Sequence, residues 1–139
     1  MPKNSTKPVV LDAWAFLALI FKEEPAAGVV RRLFEDVTGS DRYVSWINLG
    51  EVYYVITRKQ GTAEAEDALR DIRLLPLKIH EPRREDIIAA ARLKAEHPLS
   101  YADAFAVGLA RKVEGTLYTG DPEIIRLEGV VSVLRLRRG

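Results

Sequence analysis

Cysteine is absent from this 139-residue chain, which excludes disulfides, zinc–thiolate sites and thiol nucleophiles. Without a disulfide framework nothing argues for an oxidising compartment, and the cytosol is the expected location. An excess of one charge is lacking too. The 21 Lys plus Arg and 20 Asp plus Glu leave a formal balance of +1, so no generally basic coat argues for nucleic-acid binding. Long apolar runs are missing as well. The stretch from Val9 to Phe21 is broken by Asp12, and Lys22, Glu23 and Glu24 follow it where a signal peptide would carry small residues. Lys3 and Lys7 ahead of it give it the outline of such a peptide. What remains after Asp12 is far too short to span a bilayer, so neither a signal peptide nor a membrane segment is expected. Repeats, low-complexity segments and obvious linkers are also absent. What is present, 47% apolar and 29% charged residues, is the composition of a globular protein. The length suits one domain over residues 1–139, able to bury roughly two-thirds of its surface.

The apolar pattern predicts twelve elements. Pro8 to Leu11 reads as a buried strand, being short, β-branched and bounded by proline. Helices are expected over Ala13 to Lys22 and Pro25 to Val37, then a strand at Tyr43 to Ser45. Ile47 to Lys59 is helical, ending near Gly61, and Thr62 is expected to cap a helix reaching Leu74. Pro76 to Ile79 is a strand, and Arg84 to Glu96 and Ser100 to Val113 are helices. Thr116 to Thr119 is a strand, Pro122 to Leu127 a short helix and Val130 to Leu134 a last strand. Strands separated by helices favour a parallel sheet covered on both faces, and apolar rather than alternating strands fit that burial.

Charge is unevenly spread. Windows 8–21, 43–57, 98–110 and 115–122 hold four charged residues, Asp12, Glu51, Asp103 and Asp121, where composition would place about fourteen. All four are acidic, and no basic residue lies in any window. Three of them also suit helix capping. Asp12 lies between a strand and a helix, Ser100-x-x-Asp103 has the form of a capping box, and Asp121 precedes a proline in Thr-Gly-Asp-Pro. Capping does not account for Glu51, which sits inside a helix uncharged from Trp46 to Ile56 apart from itself. An ionised carboxylate in such surroundings needs a partner or a cation.

The expected elements bring the four together. Asp12 and Asp121 each follow a strand, and in open α/β sheets ligands bind beyond the carboxyl ends of the strands, where the strand order reverses. Asp103 and Glu51 lie in early turns of helices that open onto the same rim. Converging carboxylates repel one another, and a hard divalent cation, Mg²⁺ or Mn²⁺, relieves the repulsion. Such an ion lowers the pKa of a bound water and clamps phosphate oxygens, so phosphoryl chemistry follows without a histidine.

With Val-Val-Leu-Asp12, Ser45-x-x-Asn48-Leu-Gly-Glu51, Ser100-Tyr-Ala-Asp103-Ala and Leu-Tyr-Thr119-Gly-Asp121-Pro in this order, the chain resembles the PIN-domain ribonucleases. Among these it is most similar to the toxins of VapBC-type toxin–antitoxin pairs, over nearly its whole length. The resemblance implies a three-layer α/β/α sandwich with a parallel sheet of about five strands ordered 3-2-1-4-5. It implies that Asp12, Glu51, Asp103 and Asp121 hold Mg²⁺ or Mn²⁺ for endonucleolytic cleavage of RNA. Thr119 and Asn48 match supporting polar positions beside the metal and the glutamate. It further implies a homodimer and a small antitoxin that neutralises the enzyme, commonly by placing a basic side chain in the acidic site.

Other readings compete. A PIN-domain enzyme of RNA processing would carry the same residues without an antitoxin. A receiver-like, Mg-binding signalling domain would need a phosphate-accepting Asp on the middle strand and an acidic pair after the first. Here Asp12 stands alone and the third strand ends in His80-Glu81. A catalytically dead binding module would not be expected to keep all four acids. His80 and His97 read as incidental surface or C-cap histidines rather than a metal-free acid–base pair. Trp14, Trp46, Tyr53, Tyr54 and Tyr101 lie mostly in apolar windows and read as packing. Arg31-Arg32, Arg83-Arg84, Arg111-Lys112 and Arg135-x-Arg137-Arg138 are each too short to exceed a solvated face. If the four acids share one cleft, the rest of the chain carries 21 basic against 16 acidic groups. That excess offers modest positive charge to phosphates.

Overall fold

Three consecutive buried residues, Val9, Val10 and Leu11, form the strand around which the molecule is built. The computed structural model describes residues 7–36 and 38–139. Lys3, and Val37 at the end of the second expected helix, lie outside those residues. The strand β1 (Val9–Leu11) is followed by α1 (Ala13–Ile20), α2 (Ala26–Glu35), β2 (Arg42–Ser45), α3 (Trp46–Gln60), α4 (Thr62–Arg73) and β3 (Lys78–His80). Then come α5 (Arg84–Glu96), α6 (Tyr101–Lys112), β4 (Thr116–Thr119), α7 (Pro122–Ile125) and β5 (Ser132–Arg135). All strand pairings are parallel, and the order is β3-β2-β1-β4-β5. This is the expected sheet.

Alternation along β1 divides the core. Val9 and Leu11 face a cluster with Phe16, Val30, Leu49, Ile56 and Ile72 from α1 to α4. Val10 faces the other way, with Leu93, Phe105, Val107, Leu117 and Ile124 from α5, α6, β4 and α7. Two helical layers therefore cover the sheet, as side chains of period two require of a strand buried on both faces. From β1 the chain steps to β2 and β3 in one direction, then returns to β4 on the far side of β1. The switch point lies between β1 and β4, where the register sets Leu11 opposite Tyr118.

Most element boundaries differ from the expected ones by one or two residues, and three of the differences have a clear physical reason. Gly61, not Thr62, caps α4, and Thr62 is the first helical residue. Gly61 has φ +97° and also closes α3. A single residue turning between two helices takes the left-handed region that glycine enters without a steric cost. The third strand starts two residues after Pro76, because pairing with β2 begins at Tyr43 opposite Lys78. The last strand starts at Ser132 rather than Val130, because the N–H groups of Val130 and Val131 both donate to the Leu127 carbonyl in a turn. No helix among the described residues is long and apolar enough to cross a membrane.

Candidate active site

Asp12 leaves β1 in an extended conformation and caps α1, its Oδ1 accepting the Ala15 N–H at 3.0 Å. Its Oδ2 accepts the Thr119 hydroxyl. That hydroxyl in turn accepts the Asp121 N–H at 3.0 Å, and Asp121 Oδ1 accepts the Glu123 N–H at 2.9 Å as the cap of α7. One chain of hydrogen bonds thus links the ends of β1 and β4. Asp103 enters from α6, whose cap Ser100 accepts the Asp103 N–H at 3.1 Å. The carboxyls of Asp103 and Asp121 are neighbours, with an oxygen of each within 4.8 Å of the other. The capping readings of Asp12 and Asp121 therefore hold, but they occupy only part of each carboxylate. Ser100 and Asp103 form half of a capping box.

One carboxylate oxygen each from Asp103, Asp121 and Glu123 lie within 4.8 Å of one another. Glu123 was not singled out by the sequence. It stands in the first turn of α7, where an acidic residue is ordinary, one residue past the charge-poor window. Its signal, visible afterwards, is its spacing of two from Asp121.

Glu51 stands off from these three, half-buried on α3, yet its carboxyl is raised by burial and by the charge of Asp121. Asn48 is fully buried one turn earlier, and its Nδ2 donates to the Ala102 carbonyl at 3.1 Å, tying α3 to the start of α6. Its Oδ1 is buried with no hydrogen-bond partner among the described residues.

Electrostatics record the crowding. Burial, opposed by the hydrogen bonds from Thr119 and Ala15, pushes Asp12 up to about 7, and the charges of Asp121 and Glu51 add to the rise. Burial also raises Asp103, and the Asp121 carboxyl beside it raises it further. None of Asp12, Glu51, Asp103, Asp121 or Glu123 forms an ion pair with a basic side chain among the described residues. Only oxygen donors converge here, they repel one another, and a buried amide oxygen nearby is unpartnered. Such a donor set fits a hard divalent cation.

The two histidines take no part. His97 caps the C-terminus of α5. His80 lies 3.0 Å from Asp86, which also accepts Lys112 Nζ at 2.9 Å. Burial alone would raise Asp86, but the Arg83 N–H, Lys112 and His80 hold it down to about 2. A cavity of about 620 Å³ between α5 and α6 includes His80, Asp86, Phe105 and Lys112 in its lining. None of the five acids lines it.

Thr119 is the hub of the network. Thr119→Val keeps its bulk and leaves the Asp121 N–H without that acceptor, at an expected cost of about 1–3 kcal/mol. The readout is a lower urea midpoint at an unchanged slope. An unchanged midpoint would show that the hydroxyl does not hold the two strand ends together.

A family model described as PIN domain matches residues 9–130. No curated protein matches. Solved structures do. VapC20 of Mycobacterium tuberculosis, described as a toxin cleaving the sarcin–ricin loop, aligns with TM-score 0.72 at 19% identity over 86% of this chain and 94% of its own. VapBC2 from Rickettsia felis, bound to a DNA fragment from its promoter, aligns with TM-score 0.71 at 16% identity over 94% and 99%. A toxin–antitoxin complex from Klebsiella pneumoniae aligns with TM-score 0.69 at 15% identity over 94% and 99%. At such identities the likeness is one of fold.

Proposed function

The chain belongs to the PIN domain family, and from that premise we propose that it is a divalent-metal-dependent endoribonuclease, the toxin of a toxin–antitoxin pair. The observation that carries this reading is the convergence of carboxylates at the switch point between β1 and β4 without a basic partner among the described residues. We take residues 1–139 as one domain of this kind. Several of the similar structures are toxin–antitoxin complexes, which supports a small antitoxin as partner and favours a toxin over a processing enzyme. RNA as substrate, a homodimer and a cytosolic location belong to the same reading. The receiver-like alternative is disfavoured by the strand order. Receiver domains follow 2-1-3-4-5, and here the central strand is β1.

Asp12, Asp103 and Asp121 are assigned as the residues that hold Mg²⁺ or Mn²⁺. Glu123 lies close enough to join them, and Glu51 completes the cluster from α3. A bound ion would polarise the phosphodiester and ease deprotonation of the attacking water. The chain's own part is orientation. Thr119 and the Ala15 N–H fix both oxygens of Asp12. Ser100 fixes the α6 terminus that presents Asp103, and the α7 cap fixes Asp121. Asn48 holds α3 against α6, so that Glu51 keeps its distance from the three aspartates.

The test is cleavage of a single-stranded RNA with Mg²⁺ or Mn²⁺. Wild type should cleave, chelator should stop it, and Asp103→Asn should lose roughly 10²–10³-fold in rate, the scale for removing a group that holds transition-state charge. Cleavage that persists under chelation or in that variant would overturn the mechanism.

A further inference from the structure

The basic run Arg135-x-Arg137-Arg138 reads as a solvated face in the sequence, but the fold sets it beside the carboxylates. β5 pairs with β4 so that Arg135 lies opposite Thr119, the residue whose hydroxyl bonds Asp12. Adjacent strands lie about 4.8 Å apart, so the Arg135 backbone is a neighbour of the cluster. Beyond Arg135 the chain stays in place. The Leu136 N–H donates to the Thr119 carbonyl at 2.8 Å, and Leu136 is buried. The Ala26 N–H donates to the Arg137 carbonyl at 2.9 Å, and the Gly139 N–H to the Glu24 carbonyl at 3.1 Å.

Strand alternation puts Arg135 and Arg137 on the face opposite Leu136, roughly 6.6 Å apart along the chain. Both are exposed and form no ion pair among the described residues. Arg138 lies on the Leu136 face. Its guanidinium is 5.1 Å from the centre of the Trp14 ring and 2.9 Å from a Glu23 oxygen. That ring packs against Gly120, between Thr119 and Asp121. The three arginines therefore border the end of β4 that carries the acidic site.

A cleft built from carboxylates repels a polyanion. A divalent ion cancels only two charges, so productive approach needs fixed cations at the rim. We propose that Arg135, Arg137 and Arg138 bind the phosphates of the RNA strand next to the cleaved bond. This rests on the endoribonuclease reading and names the surface that positions its substrate.

The test measures binding of a labelled single-stranded RNA to the Asp12→Asn chain by fluorescence anisotropy, between ~50 and ~200 mM salt. Arg135→Ala/Arg137→Ala/Arg138→Ala should weaken binding by roughly ten-fold or more. It should also lower the slope of log affinity against log salt by about 2, at about 0.7 per phosphate contact on a single strand. Arg135→Ala/Arg137→Ala breaks no ion pair and should lower the slope by about 1.4 with the melting temperature unchanged. Their Lys counterparts should restore it. In chains with Asp12 intact, the same double variant should raise KM while kcat and Mn²⁺ affinity hold. RNA binding with an unchanged salt slope would overturn the inference while leaving the nuclease reading intact. Variants that keep RNA binding but lose binding of poly-glutamate would assign the arginines to an acidic protein partner and equally overturn it. A wild type that neither binds nor cleaves RNA would overturn the function itself.

Discussion

Asp12→Asn is expected to stabilise the metal-free protein at about pH 8 and to disable it as an enzyme. Both effects come from one group. Asp12 is buried, with its pKa pushed up to about 7 from 3.8. A carboxyl raised in the folded state binds its proton more tightly there than in the unfolded chain. Its contribution to stability is complete below its ordinary pKa and is lost as pH climbs through about 7. Asp103, raised by burial and by Asp121, acts in the same direction. The metal-free wild type should therefore melt progressively lower as pH rises from about 4 to about 7, over a range on the order of a few kcal/mol. Asp86 has the opposite sign but lies outside that window, since its stabilisation is lost only as pH falls toward about 2.

Asparagine keeps an oxygen for the Ala15 N–H, and the Thr119 hydroxyl can accept from its amide. At about pH 8 in chelator the variant should melt several degrees above wild type, with the gap closing as pH falls toward about 4. Added Mn²⁺ should raise wild type more than the variant and shrink or reverse the difference. Cleavage should fall roughly 10²–10³-fold. A variant less stable than wild type at pH 8 in chelator would mean that the buried carboxylate is already satisfied, and the pH argument would fail with it.

Gly120→Ala should be the most damaging single-methyl change near the site. A Cβ at Gly120 would fall well inside contact distance of the Trp14 indole. Trp14 is on α1, two residues after Asp12, and Gly120 lies between Thr119 and Asp121, so relief must displace either the indole or the turn that carries Asp121. Overpacking of this kind costs about 1–3 kcal/mol, and a shift of about 1 Å at a catalytic group can cost about 10²-fold in rate. Pairing the change with Trp14→Leu makes room for the methyl and should recover part of both losses, leaving a clear coupling in a double-mutant cycle. A Gly120→Ala protein with unaltered melting temperature and rate would show that the ring yields freely and does not set the position of Asp121.

The acids of the central site were legible because burial makes charge conspicuous. Windows apolar enough to form β1, α3, α6 and β4 tolerate an ionisable group only for a reason. Asp12, Glu51, Asp103 and Asp121 were the ones they held. Glu123 was not legible on that ground, since an acid after Pro122 in a first turn is ordinary helix chemistry. Only its distance to Asp103, a residue from another helix, marks it. The arginines after β5 were read as solvated for the same reason, because nothing local distinguishes a rim from any other surface.

By itself the sequence determined the sequence of strands and helices, the layered class and the position of four lone acids in apolar windows. These follow from apolar periodicity and from the cost of burying charge, both of which act over a few residues. The order 3-2-1-4-5 was not contained in that periodicity and entered through resemblance, since a short apolar strand can occupy any central place in a parallel sheet. Tertiary structure decided what depends on that order. β4 returns beside β1, so Thr119 reaches Asp12 and the Asp103 and Asp121 carboxyls come within 4.8 Å of each other. β5 carries Arg135 next to Thr119. Such pairings join residues distant in the chain, and through-space Coulomb and packing terms fix them only once the sheet has closed.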